Sequence, residues 1–431
     1  MAASRRPDLA RLHRAVEDRA GLIVTALAVL VLAGGVAYSL YLGGNLPYID
    51  EHDHLAIAEN VAARGMYSND GVRPNAARPP AYPLLLAGLL RLGADVPVAR
   101  IANFVMLALA MCLLYAMVRR EVSAFAGVLG VVLVLCYPVL FYTAGTLFAQ
   151  TLGATLFVLV LFLLARAASP RALALAGAVF GVLLLTIPMF VFSLVVIAAW
   201  LGITRRERRV TSVVAFVAPA LLVALVWSVR NYVVFGSFVF VSTGAGAVLL
   251  WGNSPHATIG STDIDFLVRA YAATAGMNEV ERNAYFTAEA LKAMWADKSG
   301  TIGFYLLKLA NYFSFYNEHY ARGEESWLRT AVMAVSYLPL LALFVARLLS
   351  RRVPVTAFEW LLAALYLSSG FAYAIFHTRI RYRLPFDWAL IALVAIFVGR
   401  WVAASGPRQR CGFRRIALSS SDANVMPARK A

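Results

Sequence analysis

The sequence predicts an all-α polytopic membrane protein of about ten transmembrane helices, with two long external loops that carry interfacial helices. Three observations predict it. Of the 431 residues, 61% are hydrophobic and 14% charged, and the mean hydropathy is +0.72, which excludes a soluble globular chain. Polar breaks divide the apolar residues into runs of roughly 20, the length that crosses a hydrocarbon core. The net charge is +16, and with lysine only at Lys292, Lys298, Lys308 and Lys430 it is almost all arginine. The arginines sit at the ends of apolar runs, where they orient helices, so nucleic acid is not an expected partner.

Taken in order, the runs lie near 21–43, 98–118, 123–143, 146–165, 172–188, 189–203, 210–229, 327–347, 354–376 and 384–401. The count of ten rests on dividing 172–203 at Thr186-Ile187-Pro188, because that stretch is too long for one kinked span. Residues 1–20 form a basic tail with Arg5, Arg6, Arg11, Arg14 and Arg19, expected on the cytoplasmic side. Ten spans then bring Arg119-Arg120, Arg166 with Arg171, Arg205 to Arg209, Arg347 with Arg351-Arg352, and Arg400 to Arg415 to that same side. The membrane domain covers 21–403, and 404–431 is a second cytoplasmic tail, basic and polar. Gly21 to Leu42 is long for a signal core and no clear small-residue cleavage site follows, so the first run is read as an anchor. Cys112 and Cys136 fall in apolar runs and Cys411 in the tail, with no spacing for a disulfide, zinc or redox motif.

This topology leaves 44–97, 230–326 and the short turn 377–383 outside, on the periplasmic face if the membrane is a bacterial inner membrane. Long connections are where chemistry is sought. Residues 281–297 (Glu281, Arg282, Phe286, Ala290, Leu291, Met294, Trp295) have the pattern of an interfacial amphipathic helix. The polar residues Tyr316, Glu318, His319 and Tyr320, just before the eighth span, read as interfacial anchors or as part of the acceptor side.

The first loop opens with Tyr48-Ile49-Asp50-Glu51-His52-Asp53-His54, followed by a helical run, Leu55 to Arg64, that ends at Gly65. Asp50 has two readings, a helix cap or a functional acid. At 100° per residue, Asp50, Glu51 and His54 share the side of Ile57, Ala58 and Val61, while His52, Glu59 and Asn60 face away. A carboxylate withdrawn from water has a raised pKa and serves as a general base if a cation steadies it. The same residues, Asp50, Glu51 and His54, with Asp53 beside them, also leave open a divalent-metal site. Further on, Arg78-Pro79-Pro80-Ala81-Tyr82-Pro83 is either a plain corner or a rigid mount that lets Arg78 take two phosphate oxygens.

The late turn His377-Thr378-Arg379-Ile380-Arg381-Tyr382-Arg383-Leu384-Pro385 puts three arginines on the face where arginine is unusual. Lipid headgroups or a dedicated phosphate ligand account for them. If the segment is extended, Arg379, Arg381 and Arg383 form a row of donors pointing one way.

With these residues in hand, the sequence resembles the GT-C superfamily of membrane glycosyltransferases, in particular bacterial proteins similar to dolichyl-phosphate-mannose protein mannosyltransferases and to the lipid A aminoarabinose transferase. The resemblance rests on Asp50-Glu51 after the first span and on Arg78 to Pro83. It continues through Arg230-Asn231-Tyr232-Val233-Val234-Phe235-Gly236, Ser242-Thr243-Gly244 and Trp251-Gly252-Asn253-Ser254-Pro255, and ends on Arg381 to Pro385. It implies a GT-C-like fold and transfer of a sugar from a polyprenyl-phosphate-linked donor to an envelope lipid, glycan or protein acceptor at the outer face. It carries the family's acceptor-activating aspartate onto Asp50 and the neighbouring acid onto Glu51; Arg78, Tyr82, His54, Arg379, Arg381 and Arg383 are the candidate substrate contacts. One departure is His54, where many relatives carry tyrosine, and it keeps the metal reading open. Residues 230–255 lack the glycine, lysine and serine order of a nucleotide phosphate loop. A polytopic transporter or flippase is the alternative; it predicts charge at mid-membrane and paired broken helices, whereas these runs are mostly Ala, Val and Leu. A non-catalytic assembly partner would tolerate loss of Asp50. The enzyme reading requires that the acidic start of the first loop and the late arginine turn meet.

Overall fold

A computed structural model describes residues 6–260, 262–316 and 326–405. Glu318, His319, Tyr320, Cys411 and most of the 404–431 tail lie outside the described residues. Within them the chain is helical, with one isolated bridge between Ala257 and Thr262. The first span is α1 (Arg6–Leu42), and α2 (Ile49–Arg64) and α3 (Ala81–Arg91) occupy the first long loop. There follow α4 (Val96–Glu121), α5 (Ala124–Leu135), α6 (Pro138–Ala144), α7 (Ala149–Arg166), α8 (Pro170–Thr186), α9 (Val191–Thr204) and α10 (Arg209–Phe235). The second long loop holds α11 (Ala245–Asn253), α12 (Ile264–Ala273), α13 (Glu279–Ala296) and α14 (Lys298–Tyr312). The last three spans are α15 (Trp327–Leu349), α16 (Ala357–Ile375) and α17 (Ile380–Ser405).

Capping residues set many of the boundaries. The side chains of Asp95, Ser123, Ser169, Ser326 and Thr356 accept backbone N–H groups at the starts of α4, α5, α8, α15 and α16, replacing bonds the first turn cannot make. All ten expected runs fall on helix, and the protein is a multi-pass membrane protein. Among the described residues, seven helices are long and apolar enough to cross a membrane, and α5 with α6 would add an eighth as one bent span. The expected run 123–143 is not one rod. Tyr137, next to Pro138, leaves the helical region at φ −117° and ψ 76°, as residues before proline tend to do, and the pair bends by 66°.

The division at Thr186-Ile187-Pro188 is real, with Ile187 extended at φ −139° and ψ 96°. Arg205, just after α9, donates to the Ala167 carbonyl just before α8, and Pro170 and Thr204 line one cavity. The chain therefore goes out along α8 and returns along α9, although each is shorter than the other spans. Helix α10 then runs beside α8 in the same direction. A Cβ on Gly177 would overlap the Phe216 carbonyl, and one on Gly181 would meet that of Ala220. Glycines four apart let two membrane helices touch backbone to backbone.

Helix α17 is the core, packed among α5, α7, α15 and α16. From Trp388 to Ile396 no residue is more than 1% exposed, as expected of a helix apolar all round. At its far end Glu359 accepts from Arg347 Nε and Arg400 Nη1, each at 2.8 Å, so two of the basic joints share one end of the bundle. Helix α13 is amphipathic as expected: Phe286 and Ala290 pack on Ala247 and Leu250 of α11. Leu291 and Trp295, at 44% and 68% exposed, belong instead to its outer face.

Candidate active site

Tyr48 is extended and α2 starts after it; Glu51 Oε2 accepts the Tyr48 N–H at 3.1 Å. The helix is thus capped through Glu51, not through Asp50, and it ends at Gly65 with φ +69°, a left-handed conformation that glycine adopts without strain. Glu51 is fully buried, and its Oε1 accepts the Leu147 N–H at 2.9 Å. His54 Nδ1 donates to the Leu147 carbonyl, also at 2.9 Å. Both backbone groups of one residue after α6 are thereby fastened to α2. Burial raises the Glu51 pKa. Burial and then Arg78 lower that of His54 to about 4, so the imidazole is neutral at pH 7. Arg100, also buried, donates to the carbonyls of Gly43 and Asn45 and lies 3.9 Å from Glu51.

Asp50, on the open side of the same turn, keeps 21% of its side chain exposed and meets two arginines. Arg78 Nη2 reaches Oδ1 at 2.6 Å and Arg381 Nη1 reaches Oδ2 at 2.5 Å. Arg78 also donates to Asp53 from Nε and Nη2, at 3.1 and 2.6 Å. Burial alone would raise the Asp50 pKa, but Arg381 and Arg78 outweigh it and hold the carboxyl well below the usual range. This corrects the expectation of a raised carboxylate: the steadying cations are bonded to it directly. For Arg78, burial would weaken the cation, and Asp50 and Asp53 more than restore it. Two aromatic faces flank Arg381, with Phe148 and Tyr382 ring centres 5.5 and 5.1 Å away.

The expected row of arginines does not form, because α17 begins at Ile380 and helical spacing sends the three side chains in different directions. Arg379 Nε donates to the Gly260 carbonyl at 2.8 Å. Arg383 is fully buried; it pairs with Asp387 at 3.0 Å, donates to the Tyr312 and Ser314 carbonyls at 2.7 Å and stacks on Tyr337. It braces the bundle and has no face left for a phosphate. Tyr82 is likewise interior, fully buried with its hydroxyl on Asn103 at 3.3 Å. The projection of α2 holds except at Asn60, which donates to the Ala56 and Ser68 carbonyls.

The metal reading does not fit. Asp50 spends its oxygens on guanidinium groups, Glu51 on amides, and His54 on a carbonyl. Among the described residues no group of three His, Cys, Asp or Glu side chains is placed to hold an ion.

The second loop supports the first. Glu279 Oε2 accepts Ala76 N–H at 2.7 Å and Thr243 Oγ1 at 3.2 Å, and Arg230 donates to the Asn75 carbonyl at 2.9 Å. Both anchors grip the segment just ahead of Arg78. Sequence reasoning missed Glu279, Arg100 and Asp387. A lone arginine in the apolar start of α4, and an aspartate four residues after Arg383, were the available signals for two of them; Glu279 gave none.

With this geometry in place, the class is a GT-C-fold membrane protein. A sequence profile for dolichyl-phosphate-mannose-protein mannosyltransferase matches residues 77–232. The structure is similar to that of ArnT from Cupriavidus metallidurans bound to undecaprenyl phosphate, with a TM-score of 0.56 at 16% identity, covering 89% of this chain. It spans 61% of the ArnT chain. A weaker likeness, TM-score 0.46 at 14% identity over 86% of this chain and 49% of the other, is to the Archaeoglobus fulgidus oligosaccharyltransferase tethered to an acceptor peptide. No curated protein matches the sequence significantly. The resemblance to GT-C membrane glycosyltransferases read from the residues is borne out.

Proposed function

We propose that the protein is a glycosyltransferase that moves a sugar from a polyprenyl-phosphate-linked donor to an acceptor hydroxyl, or a similar nucleophile, at the external face of a bacterial inner membrane. The observation that carries this reading is the Arg78–Asp50–Arg381 constellation: one carboxylate between two partly exposed guanidinium groups, on a loop helix outside the spans. The undecaprenyl phosphate bound by ArnT supports a lipid-phosphate donor, and the basic joints of 347 and 400 at one end of the bundle support cytoplasmic termini and an external site.

In this mechanism the donor phosphate competes with Asp50 for Arg78 and Arg381, since guanidinium forks take phosphate oxygens as readily as carboxylate. Once they turn to phosphate, Asp50 loses the cations that hold its pKa down and becomes a usable base. Asp50 then accepts the acceptor's proton while the acceptor oxygen bonds to the anomeric carbon. The bond from that carbon to the phosphate oxygen breaks, its electron pair leaves on the lipid phosphate, and the arginines neutralise it. Direct displacement inverts the anomeric centre. Glu51 and His54 act as positioning residues through Leu147. The test is Asp50→Asn in membranes supplied with donor and acceptor: transfer falls by about 10²–10⁴ in a folded protein. Retained transfer would remove Asp50 from the chemistry.

A further inference from the structure

His377, three residues before α17, is 2% exposed, and neither ring nitrogen has a hydrogen-bond partner among the described residues. Buried polar groups are ordinarily satisfied. This one is also held in place. Thr378 Oγ1 donates to the Ile259 carbonyl at 3.3 Å and accepts from Asn311 Nδ2 at 3.1 Å. The Phe376 carbonyl accepts from Lys308 Nζ at 3.1 Å, a buried lysine that also donates to Gly252 and Asn253, each at 2.8 Å. Gly252 allows this approach, since a Cβ there would overlap the Phe376 carbonyl.

The His377 ring stands edge-on to Tyr382 with centroids 6.2 Å apart, and the Arg381 guanidinium is 5.1 Å from the same Tyr382 centroid. Tyr382 stacks on Tyr373 at 5.3 Å and 4°, so the imidazole and the Arg381 guanidinium share one aromatic platform. Burial, then Arg379, Arg381 and Lys308, keep the imidazole neutral, its pKa lowered to about 3. A neutral imidazole offers one N–H and one lone pair. An anion would be repelled by the lone pair, whereas hydroxyl groups, which donate and accept, satisfy both nitrogens. A sugar ring carries such hydroxyls.

We propose that His377 is a specificity-determining residue that reads hydroxyl groups of the donor's sugar, beside the Arg381 that takes its phosphate. This rests on the lipid-phosphate reading above. The test uses the full chain in lipid nanodiscs, with two probes: undecaprenyl phosphate, and a panel of undecaprenyl-phosphate hexoses and pentoses. The wild type is expected to bind its best sugar lipid more tightly than the sugar-free lipid. His377→Ala should lose about tenfold in affinity for that sugar lipid, the worth of a hydrogen bond or two, with sugar-free binding and thermal midpoint nearly unchanged. His377→Gln, which keeps a donor and an acceptor, should recover part of the loss, and Arg381→Ala should weaken both lipids. Equal loss for both lipids with His377→Ala, or no loss, overturns the proposal and leaves the donor reading standing. A wild type that binds neither lipid overturns both.

Discussion

Arg381, in the first turn of the last helix, closes to 2.5 Å on Asp50, in the first turn of α2 and 331 residues earlier in the chain. The contact joins the two ends of the membrane domain at one carboxylate that Arg78 holds from the other side. Under the proposed function, the protein's own anion occupies the place the donor phosphate would take.

That competition makes Asp50→Asn informative twice over. Removing the charge should cut sugar transfer by about 10²–10⁴, the usual worth of a general base, yet tighten undecaprenyl phosphate binding, because Arg381 loses its internal carboxylate and Arg78 keeps only Asp53. Turnover and a binding isotherm on the same preparation check it, and weakened lipid binding would count against the competition.

Arg78→Ala and Arg381→Ala should each raise the donor KM by about tenfold or more, since charge-assisted bonds are among the stronger ones, and change the acceptor KM much less. Initial-rate kinetics with both substrates varied separates the two. Equal effects on both would return the arginines to a structural role.

Arg383 should behave differently. Arg383→Ala leaves Asp387 charged and unpaired in the interior, a loss of about 3–5 kcal/mol for a buried pair, so the thermal midpoint in detergent should fall sharply. Arg383→Met with Asp387→Leu should recover much of it, because replacing both partners removes the uncompensated charge. If the double variant is no more stable than the single, the pair is not what the interior requires.

The pH dependence of stability follows from the depressed pKa of Asp50. A folded-state pKa below the unfolded value, about 3.9, gives stability that is fully present above that value and is lost as pH falls through the folded pKa. Thermal midpoints of wild type and Asp50→Asn should therefore differ by a constant amount from pH 8 to about pH 5 and converge below about pH 4. A gap that opens as pH falls would reverse the assignment.

Chelation should leave both transfer and undecaprenyl phosphate binding intact, because the oxygens of Asp50 and Glu51 and Nδ1 of His54 already have partners. Loss on adding EDTA, restored by magnesium or manganese, would show a metal held in some other arrangement.

The fold was legible because hydropathy and arginine placement both follow the spans, and the break at Ile187-Pro188 could be read from length alone. The bend at Tyr137-Pro138 was hidden, since an apolar run gives no hint that its helix changes direction. Asp50, Arg78 and Arg381 stood out as charge outside the spans. Arg383 could not be separated from Arg381, because the choice between extended and helical backbone decides which side chains agree in direction, and the first turn of α17 decides it. Asp387 lay inside an apolar run and drew no notice. The α2 projection told which way Glu51 and His54 point, but their shared partner Leu147 is 96 and 93 residues away, beyond any local pattern.

The paired bonds from α2 to the Leu147 backbone have a mechanical consequence. Two attachments one turn apart on a helix, converging on the backbone of one residue, prevent it from either sliding or rolling. Reorganisation during turnover should then fall on the arginine side chains and spare the backbone beneath them. Amide hydrogen exchange across 51–58 should stay slow with or without lipid, even as the side chains above change partners.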